Sequence, residues 1–218
     1  MTAPPRESDA RTVATRRALL DAAERLFAED GVGPVSGRRI AQAAGQRNTT
    51  AVSYHFGGKT DLIRAISERH TAAVDALRAP LLAELPTDAP LRAWVECLVR
   101  PIVAHFAELG TPSWYARCAA QIQADPGLRE IVNADAVGLG QIRAVRAGML
   151  AAVPDLPAAV LSVRSEMARQ LIVTMCAEHE RLRAEAGDAQ SAPDWAELGI
   201  DLVDVIVAVY TAPTSRPH

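Results

Sequence analysis

Helical stretches bounded by Gly or Pro follow one another along almost the whole chain, and this pattern restricts it to an all-α fold. In the first stretch, from about Thr12 to Asp30, apolar residues recur at intervals of three and four residues. Most later stretches begin at a Pro, which suits the first turn of a helix. Only 4% of the residues are aromatic, which argues against a β-sandwich or barrel.

We expect three short helices within the first 56 residues and six longer stretches after them. Their expected positions are Thr12–Asp30, Arg38–Ala43 with Ser36 as N-cap, Ala51–His55 capped by Asn48 or Thr49, Thr60–Ala79, Pro90–Leu109, Pro112–Ala124, Pro126–Val153, Pro157–Ala186 and Pro193–Ala212. We therefore divide the chain into a flexible arm over 1–11, a three-helix unit over 12–59, a helical body over 60–212 and a frayed tail over 213–218.

Charge is distributed unevenly between these parts. The whole chain carries a net charge of −3, but the segment through Lys59 holds nine basic and six acidic residues. That segment therefore carries +3, and the remainder carries −6. A basic N-terminal quarter on an acidic body is typical of a nucleic-acid-binding protein with a separate body, although a solvated charged face gives the same distribution.

Several classes of function lack the residues they need. No apolar run is long enough to span a membrane, and Met1–Ala10 lacks the apolar stretch of a secretion signal, so we expect a cytoplasmic protein. Cys97, Cys118 and Cys176 are far apart and have no metal-ligand spacing, which indicates buried thiols. The histidines match no catalytic motif, and we expect Glu178-His179-Glu180 to form a solvated charged face. The sequence thus indicates no enzyme, no cofactor and no metal.

The spacing of the second and third helices is typical of a helix-turn-helix. Two short helices are joined by a tight turn at Gly45, and the second is small enough to enter a DNA major groove. The first helix is long enough to support both. Short helices joined at a glycine also occur in many α-helical proteins, so the spacing alone leaves DNA binding open.

Three segments of this unit, Thr15–Gly31, Arg39–Gly45 and Tyr54–Leu62, closely resemble the signature of the tetracycline-repressor (TetR) family of bacterial regulators. The resemblance covers about fifty residues in the same order and ends near Ile66. It implies a homodimer that binds a nearly palindromic double-stranded DNA operator. It also implies a small-molecule effector that binds the C-terminal domain and releases the DNA, and we expect a repressor.

The resemblance also assigns roles to individual residues. Arg38 matches a position on the second helix that contacts a base or a phosphate. Thr49, Thr50 and Ala51 match the base-facing start of the third helix. Further DNA-binding residues are expected at the end of the third helix and the start of the fourth, namely Tyr54, His55 and Lys59. The last two match phosphate contacts.

This chain departs from the usual family pattern in two places. It has one residue more between Gly45 and His55, so Arg47 and Asn48 are also expected to face the DNA. Ser53 occupies the place of a tyrosine that often contacts a phosphate. A serine hydroxyl can still donate a hydrogen bond, but over a shorter reach.

The last helix is apolar over an unusually wide arc, which predicts cover from a second copy of the chain. Because its polar stripe is narrow, we expect one apolar side of this helix to face the core of the same chain and the other side to face a partner chain. The alternative is a central helix of a monomer. The expected interface residues are Trp195, Leu198, Leu202, Val205, Ile206 and Val209.

Aromatic residues and methionines of the middle helices are candidates for an effector pocket. Trp114, Cys118 and Gln121 share one helix face, with Tyr115 beside them. An apolar wall is expected from Trp94, Leu98, Met149, Met167, Leu171 and Met175. The alternative for each residue is an ordinary place in the core. For the whole chain, the alternative is an all-α ligand-binding or catalytic protein that does not bind DNA.

Overall fold

The structure, a computed structural model, describes residues 7–137, 140–187 and 192–214. These residues form ten helices and no strand, which confirms the all-α expectation. The helices are α1 (Glu7–Asp30), α2 (Gly37–Ala43), α3 (Ala51–Phe56), α4 (Lys59–Glu84), α5 (Leu91–Leu109), α6 (Tyr115–Ala124), α7 (Pro126–Val137), α8 (Gly140–Ala151), α9 (Ala158–Ala186) and α10 (Trp195–Thr211).

The first apolar cluster holds the N-terminal helices together. It combines buried side chains of α1, α2 and α3 with the first two turns of α4. Two residues of α6, Cys118 and Ile122, complete this cluster. The N-terminal unit therefore shares its core with a helix that lies some sixty residues further along the chain.

The second apolar cluster forms the body. In it α5 packs against α10, α4 and α8, while α9 packs against α6 and α10. The ring of Trp94 lies directly on the backbone of α8, since a Cβ atom added to Gly148 would stand 2.3 Å from that ring. Only glycine permits this approach, so the contact fixes the position of α8 on α5.

The helix boundaries differ from the expected ones in the N-terminal half of the chain. Residues 7–11 of the expected flexible arm belong to α1, and residues 1–6 lie outside the described part. Helix α4 continues through Pro80 to Glu84 instead of ending at Ala79. Leu81 and Leu82 lie in this extension and pack against the body cluster. This packing outweighs the local cost of a proline inside a helix.

For the stretch expected as one helix over Pro126–Val153, the structure describes two helical segments, and residues 138–139 between them lie outside the described part. Helix α7 ends at Val137 and α8 begins at Gly140. Of the expected frayed tail, Pro213 and Thr214 lie outside α10, and residues 215–218 lie outside the described part.

No helix within the described ranges has the length and apolar character needed to cross a membrane.

Candidate nucleic-acid interface

Helices α2 and α3 are joined by a turn whose geometry follows from two residues. Ser36 is the N-cap of α2, as expected, and its side chain accepts a hydrogen bond from the Arg39 N–H at 3.2 Å. Gly45 follows α2 with a φ of +69°, a conformation that strains other residues. The Gln46 N–H then donates to the Ala41 carbonyl at 2.9 Å. The chain thus reverses direction immediately after α2.

Helix α3 begins at Ala51, as the sequence predicts, but its N-cap is not the expected one. Its N-cap is Thr50, whose side chain makes no capping bond. Asn48 instead organises the preceding turn, because its Oδ1 accepts hydrogen bonds from the Thr50 N–H at 3.0 Å and from Thr50 Oγ1 at 2.7 Å. Arg47, Asn48 and Thr49 therefore lie in the turn that leads into α3.

The two helices have one apolar side and one polar side. Ile40, Ala41, Ala51 and Val52 are buried in the N-terminal cluster. Ala51 is only 4% exposed, so its side chain faces this core and not the expected base. The predicted site residues that are exposed around α2 and α3 are Arg38, Arg47, Asn48, Thr49, Thr50, Ser53 and Tyr54. We call this set the exposed polar face.

Tyr54 and Arg47 dominate the exposed polar face by size and charge. The Tyr54 side chain is 80% exposed, and its ring stands edge-on to the His55 ring, with 4.9 Å between the centroids. Arg39 is paired with Asp30 at 2.7 Å, whereas Arg38 and Arg47 form no ion pair with any residue that the structure describes. The exposed polar face thus offers two guanidinium groups and a phenol.

Lys59 is placed differently from the other predicted site residues. Its ammonium donates to the carbonyls of Val32 and Gly33, the latter at 3.3 Å, and lies 5.7 Å from the centre of the Phe27 ring. Partial burial lowers the pKa of the Lys59 amine. The group expected at a phosphate therefore holds the start of α4 to the turn between α1 and α2.

Arg16 is a site residue that the sequence analysis missed. Its Nη1 donates to the carbonyl of His55, and its guanidinium carbon lies 4.2 Å from the centre of the Phe56 ring. Both partners belong to the last turn of α3. Arg16 therefore fixes the end of α3 on α1, and it stands within the motif that carries the resemblance.

The ten residues expected around an effector do not form one pocket. Cys118 belongs to the N-terminal cluster, and Gln121 is exposed beside Gly31. Met167 and Met175 are exposed on α9. Those that pack in or against the body cluster are Trp94, Leu98, Tyr115, Met149 and Leu171. Tyr115 stacks on His70, with 3.4 Å between ring centroids, and Trp114 lines a cavity.

The residues expected at a dimer interface are also divided. Four of them are buried in the core of the single chain, namely Trp195, Leu198, Leu202 and Ile206. Val205 is 47% exposed, and Val209 is half-buried. The wide apolar arc of α10 therefore faces α5 and α9 more than solvent.

The expectation of a solvated face at Glu178-His179-Glu180 is wrong for its last two residues. Glu180 is 2% exposed and accepts hydrogen bonds from the backbone N–H groups of Ala116 at 3.1 Å and Arg117 at 3.0 Å. Ser113 Oγ and Arg117 Nε also donate to it. A carboxylate at the first turn of α6 satisfies N–H groups that have no partner within the helix. His179 is buried against Trp195.

Comparisons with known proteins agree with this geometry. The family model described as bacterial regulatory proteins of the tetR family matches residues 19–66. The HTH-type transcriptional regulator AcrR of Shigella flexneri is 35% identical over 94 residues, which are 43% of this chain and 43% of that protein. The match to this curated relative thus spans less than half of its length.

Two solved structures share the fold. A bacterial regulatory protein of the tetR family from Rhodococcus RHA1 superposes with a TM-score of 0.55 at 18% identity, covering 92% of this chain and 98% of that one. AmtR of Mycobacterium smegmatis gives 0.55 at 22% identity, with coverages of 88% and 85%. At such identities the likeness concerns the fold. The helix-turn-helix geometry and the family match show that residues 19–66 are similar to the tetR family of bacterial regulatory proteins.

Proposed function

We propose that this protein is a transcriptional repressor whose homodimer binds a nearly palindromic DNA operator and releases it when a small molecule binds. The observation that carries the proposal is the helix-turn-helix of α2 and α3, buried on its apolar side and polar on the other. A short helix presented in this way fits the major groove. In a dimer, the two α3 helices reach half-sites about 34–36 Å apart, or a multiple of that distance.

Within the exposed polar face, Arg47 and Asn48 are the residues with the chemistry to recognise bases. A guanidinium can donate two hydrogen bonds to guanine. Because Thr50 occupies Asn48 Oδ1, the side-chain NH₂ of Asn48 is the group left to donate to a base. Arg38, Ser53 and Tyr54 suit phosphate contact, which orients the protein without distinguishing sequences. Lys59 supports the interface indirectly, because it holds the start of α4 to the turn between α1 and α2.

The test is selection of bound fragments from the source genome by the purified protein at about 150 mM salt, which suppresses non-specific attraction. We expect enrichment of a nearly palindromic site. On that site Arg47→Ala should cost about 1–3 kcal/mol of binding and relax specificity. Arg143→Ala removes an exposed charge from α8 as a matched control and should change little. No enrichment by folded protein would favour an all-α protein that does not bind DNA.

For the dimer we propose the exposed apolar residues of α9 and α10. Val163, Met167, Met175 and Leu182 are exposed on α9 at separations of four, eight and seven residues, which place them on one side of the helix. Ile200 and Val205 are exposed on the neighbouring α10. Two helices from each copy would form a four-helix interface in which the same surface meets itself.

Light scattering on the purified chain tests this assignment. We expect twice the mass of one chain for the wild type and a shift toward monomer for Met167→Glu, because the substitution places a charge in an apolar interface. Glu166→Gln, one position away, is the control. A wild-type monomer would overturn the proposed dimer, and a dimeric Met167→Glu would move the interface elsewhere.

A further inference from the structure

A cavity of about 580 Å³ lies where α1 meets α4, α5 and the segment between α5 and α6. Its apolar wall consists of Val13, Leu20, Ala73, Leu109, Pro112 and Trp114. This volume is within the range of pockets that enclose small organic molecules. Of the ten residues that the sequence predicted around an effector, Trp114 alone lines it. The cavity thus touches both the N-terminal unit and the body.

A buried polar network forms one side of the cavity. Glu24 accepts hydrogen bonds from His70 Nε2 at 2.8 Å and from Arg69 Nη2. His70 Nδ1 and His105 Nε2 are 2.8 Å apart, so both ring nitrogens of His70 have partners. Burial and the neighbouring His70 lower the pKa of His105 to about 4, so its ring is neutral at neutral pH. This network connects α1, α4 and α5.

The network leaves one donor and an excess of positive charge unmatched. Arg69 Nη1 binds Asp21 at 2.6 Å, but its Nε is buried and has no hydrogen-bond acceptor among the described residues. Arg16 and Arg17 also line the cavity, and Arg17 approaches Asp21 only to 3.8 Å. Three guanidinium groups therefore face two carboxylates, both already bound to Arg69. An anionic oxygen is the partner that such a set accepts.

We propose that this cavity binds a small organic anion with an apolar body, such as a medium-chain carboxylate. The apolar part would lie against Leu20, Leu109 and Trp114, and the carboxylate would meet the arginine side. The proposal rests on the proposed function and deepens it, because it names the chemical class and the site of the effector.

Arg16 links this cavity to the exposed polar face. It lines the cavity and also holds the end of α3 through the His55 carbonyl and the Phe56 ring. A carboxylate in the cavity competes with the His55 carbonyl for the guanidinium. The anion therefore binds more tightly when α3 is released from α1. Such a difference in affinity between two states is what a ligand needs to shift a conformational equilibrium.

Calorimetric titration of the full chain with decanoate, decylamine and decanol tests the ligand class. We expect one decanoate per chain, with decylamine and decanol bound at least about tenfold more weakly. Binding of decylamine as tight as that of decanoate, or no binding of decanoate by folded protein, would overturn the proposal. This titration contains no DNA, so its failure would leave the proposed DNA binding intact, and failure of the genomic selection would leave this result standing.

Substitutions test the location of the site. Ala73→Phe fills the cavity from α4 and should weaken decanoate binding by about tenfold or more, whereas Ala76→Phe adds the same ring on the exposed side of that helix and should not. Arg17→Gln, an exposed change that leaves the buried network in place, should weaken binding severalfold. If all three variants bound decanoate as tightly as the wild type does, the ligand would lie elsewhere and the proposal would be overturned.

Discussion

Arg16 joins two parts of the N-terminal unit that lie 39 residues apart in the sequence. Its hydrogen bond reaches a backbone carbonyl at the last turn of α3, where carbonyl groups have no partner within the helix. Its guanidinium also packs over the Phe56 ring. Helix α3 has only six residues and makes few hydrogen bonds of its own. The orientation of the exposed polar face therefore depends on a side chain from another helix.

Replacing Arg16 by methionine should loosen the end of α3. The variant keeps much of the apolar stem and loses a charged hydrogen bond, a contact of about 1.5–3 kcal/mol. We expect faster hydrogen exchange at the amides of Tyr54 and Gly57 and weaker operator binding. Arg25→Met, which removes an exposed ion pair with Glu29 from the same helix, should leave both unchanged. Unaltered exchange in Arg16→Met would contradict the role we give to this residue.

Long-range contacts of this kind set the limit of what sequence predicts for the site. The sites at Arg38, Arg47 and Asn48 follow from the resemblance and from the one extra residue that departs from it. The burial of Ala51 depends on the turn before α3, which the Asn48 side chain organises through its bonds to Thr50. The position of Lys59 depends on carbonyls 26 and 27 residues away. Such partners leave no periodic signal in the sequence.

At the scale of helices, α6 connects the two apolar clusters. Its residues Cys118 and Ile122 lie in the N-terminal cluster, while its first turn is held by Glu180 of α9. Glu180 also binds Ser113, which lines the cavity. One carboxylate of the body thereby positions a helix that supports α1.

Glu180→Gln should destabilise the protein substantially. The amide cannot accept all four hydrogen bonds, and the Arg117 guanidinium loses its buried partner at 3.1 Å. Breaking a buried ion pair by removing one partner costs about 3–5 kcal/mol. Urea unfolding monitored by circular dichroism measures the loss.

The matched control is Glu178→Gln on the same helix. Glu178 is exposed and paired with Arg181, so its replacement should change the free energy of unfolding very little. Equal destabilisation by the two substitutions would show that the carboxylate of Glu180 has no special role at α6.

The helices themselves were largely predictable, because their signals are local. Helix α2 lies between its N-cap Ser36 and the turn at Gly45, as the sequence indicates. Local rules failed where tertiary packing is stronger, as at Pro80, beyond which Leu81 and Leu82 pack on the body and extend α4. They also failed at Glu180. The sequence of α9 contains no sign that this carboxylate meets the unpaired N–H groups at the start of α6.

The whole molecule carries a pH dependence that originates at the junction of its two clusters. Burial lowers the pKa of His105 to about 4 from an ordinary value of 6.5. The unfolded chain therefore binds a proton at this residue more readily than the folded chain does. The contribution of His105 to stability is complete above pH 6.5 and is lost as the pH falls toward 4.

His105→Gln removes this titration while keeping a hydrogen-bonding side chain next to His70. The free energy of unfolding of the wild type should fall relative to that of the variant between pH 6.5 and 4, by at most about 3 kcal/mol. Thermal unfolding over this range measures the difference. Parallel profiles for the two proteins would show that His105 is not the group responsible.

The position of Lys59 gives the molecule an unusual property toward proteases. It is the one lysine in the sequence, so a lysine-specific protease has a single target, the bond between Lys59 and Thr60. This bond lies in the first turn of α4, and the ammonium that the protease must recognise is bound to the Val32 and Gly33 carbonyls. Cleavage requires that this turn opens and that the amine leaves its partners. The rate at which the intact chain divides into two fragments therefore measures how often the first turn of α4 leaves the turn between α1 and α2.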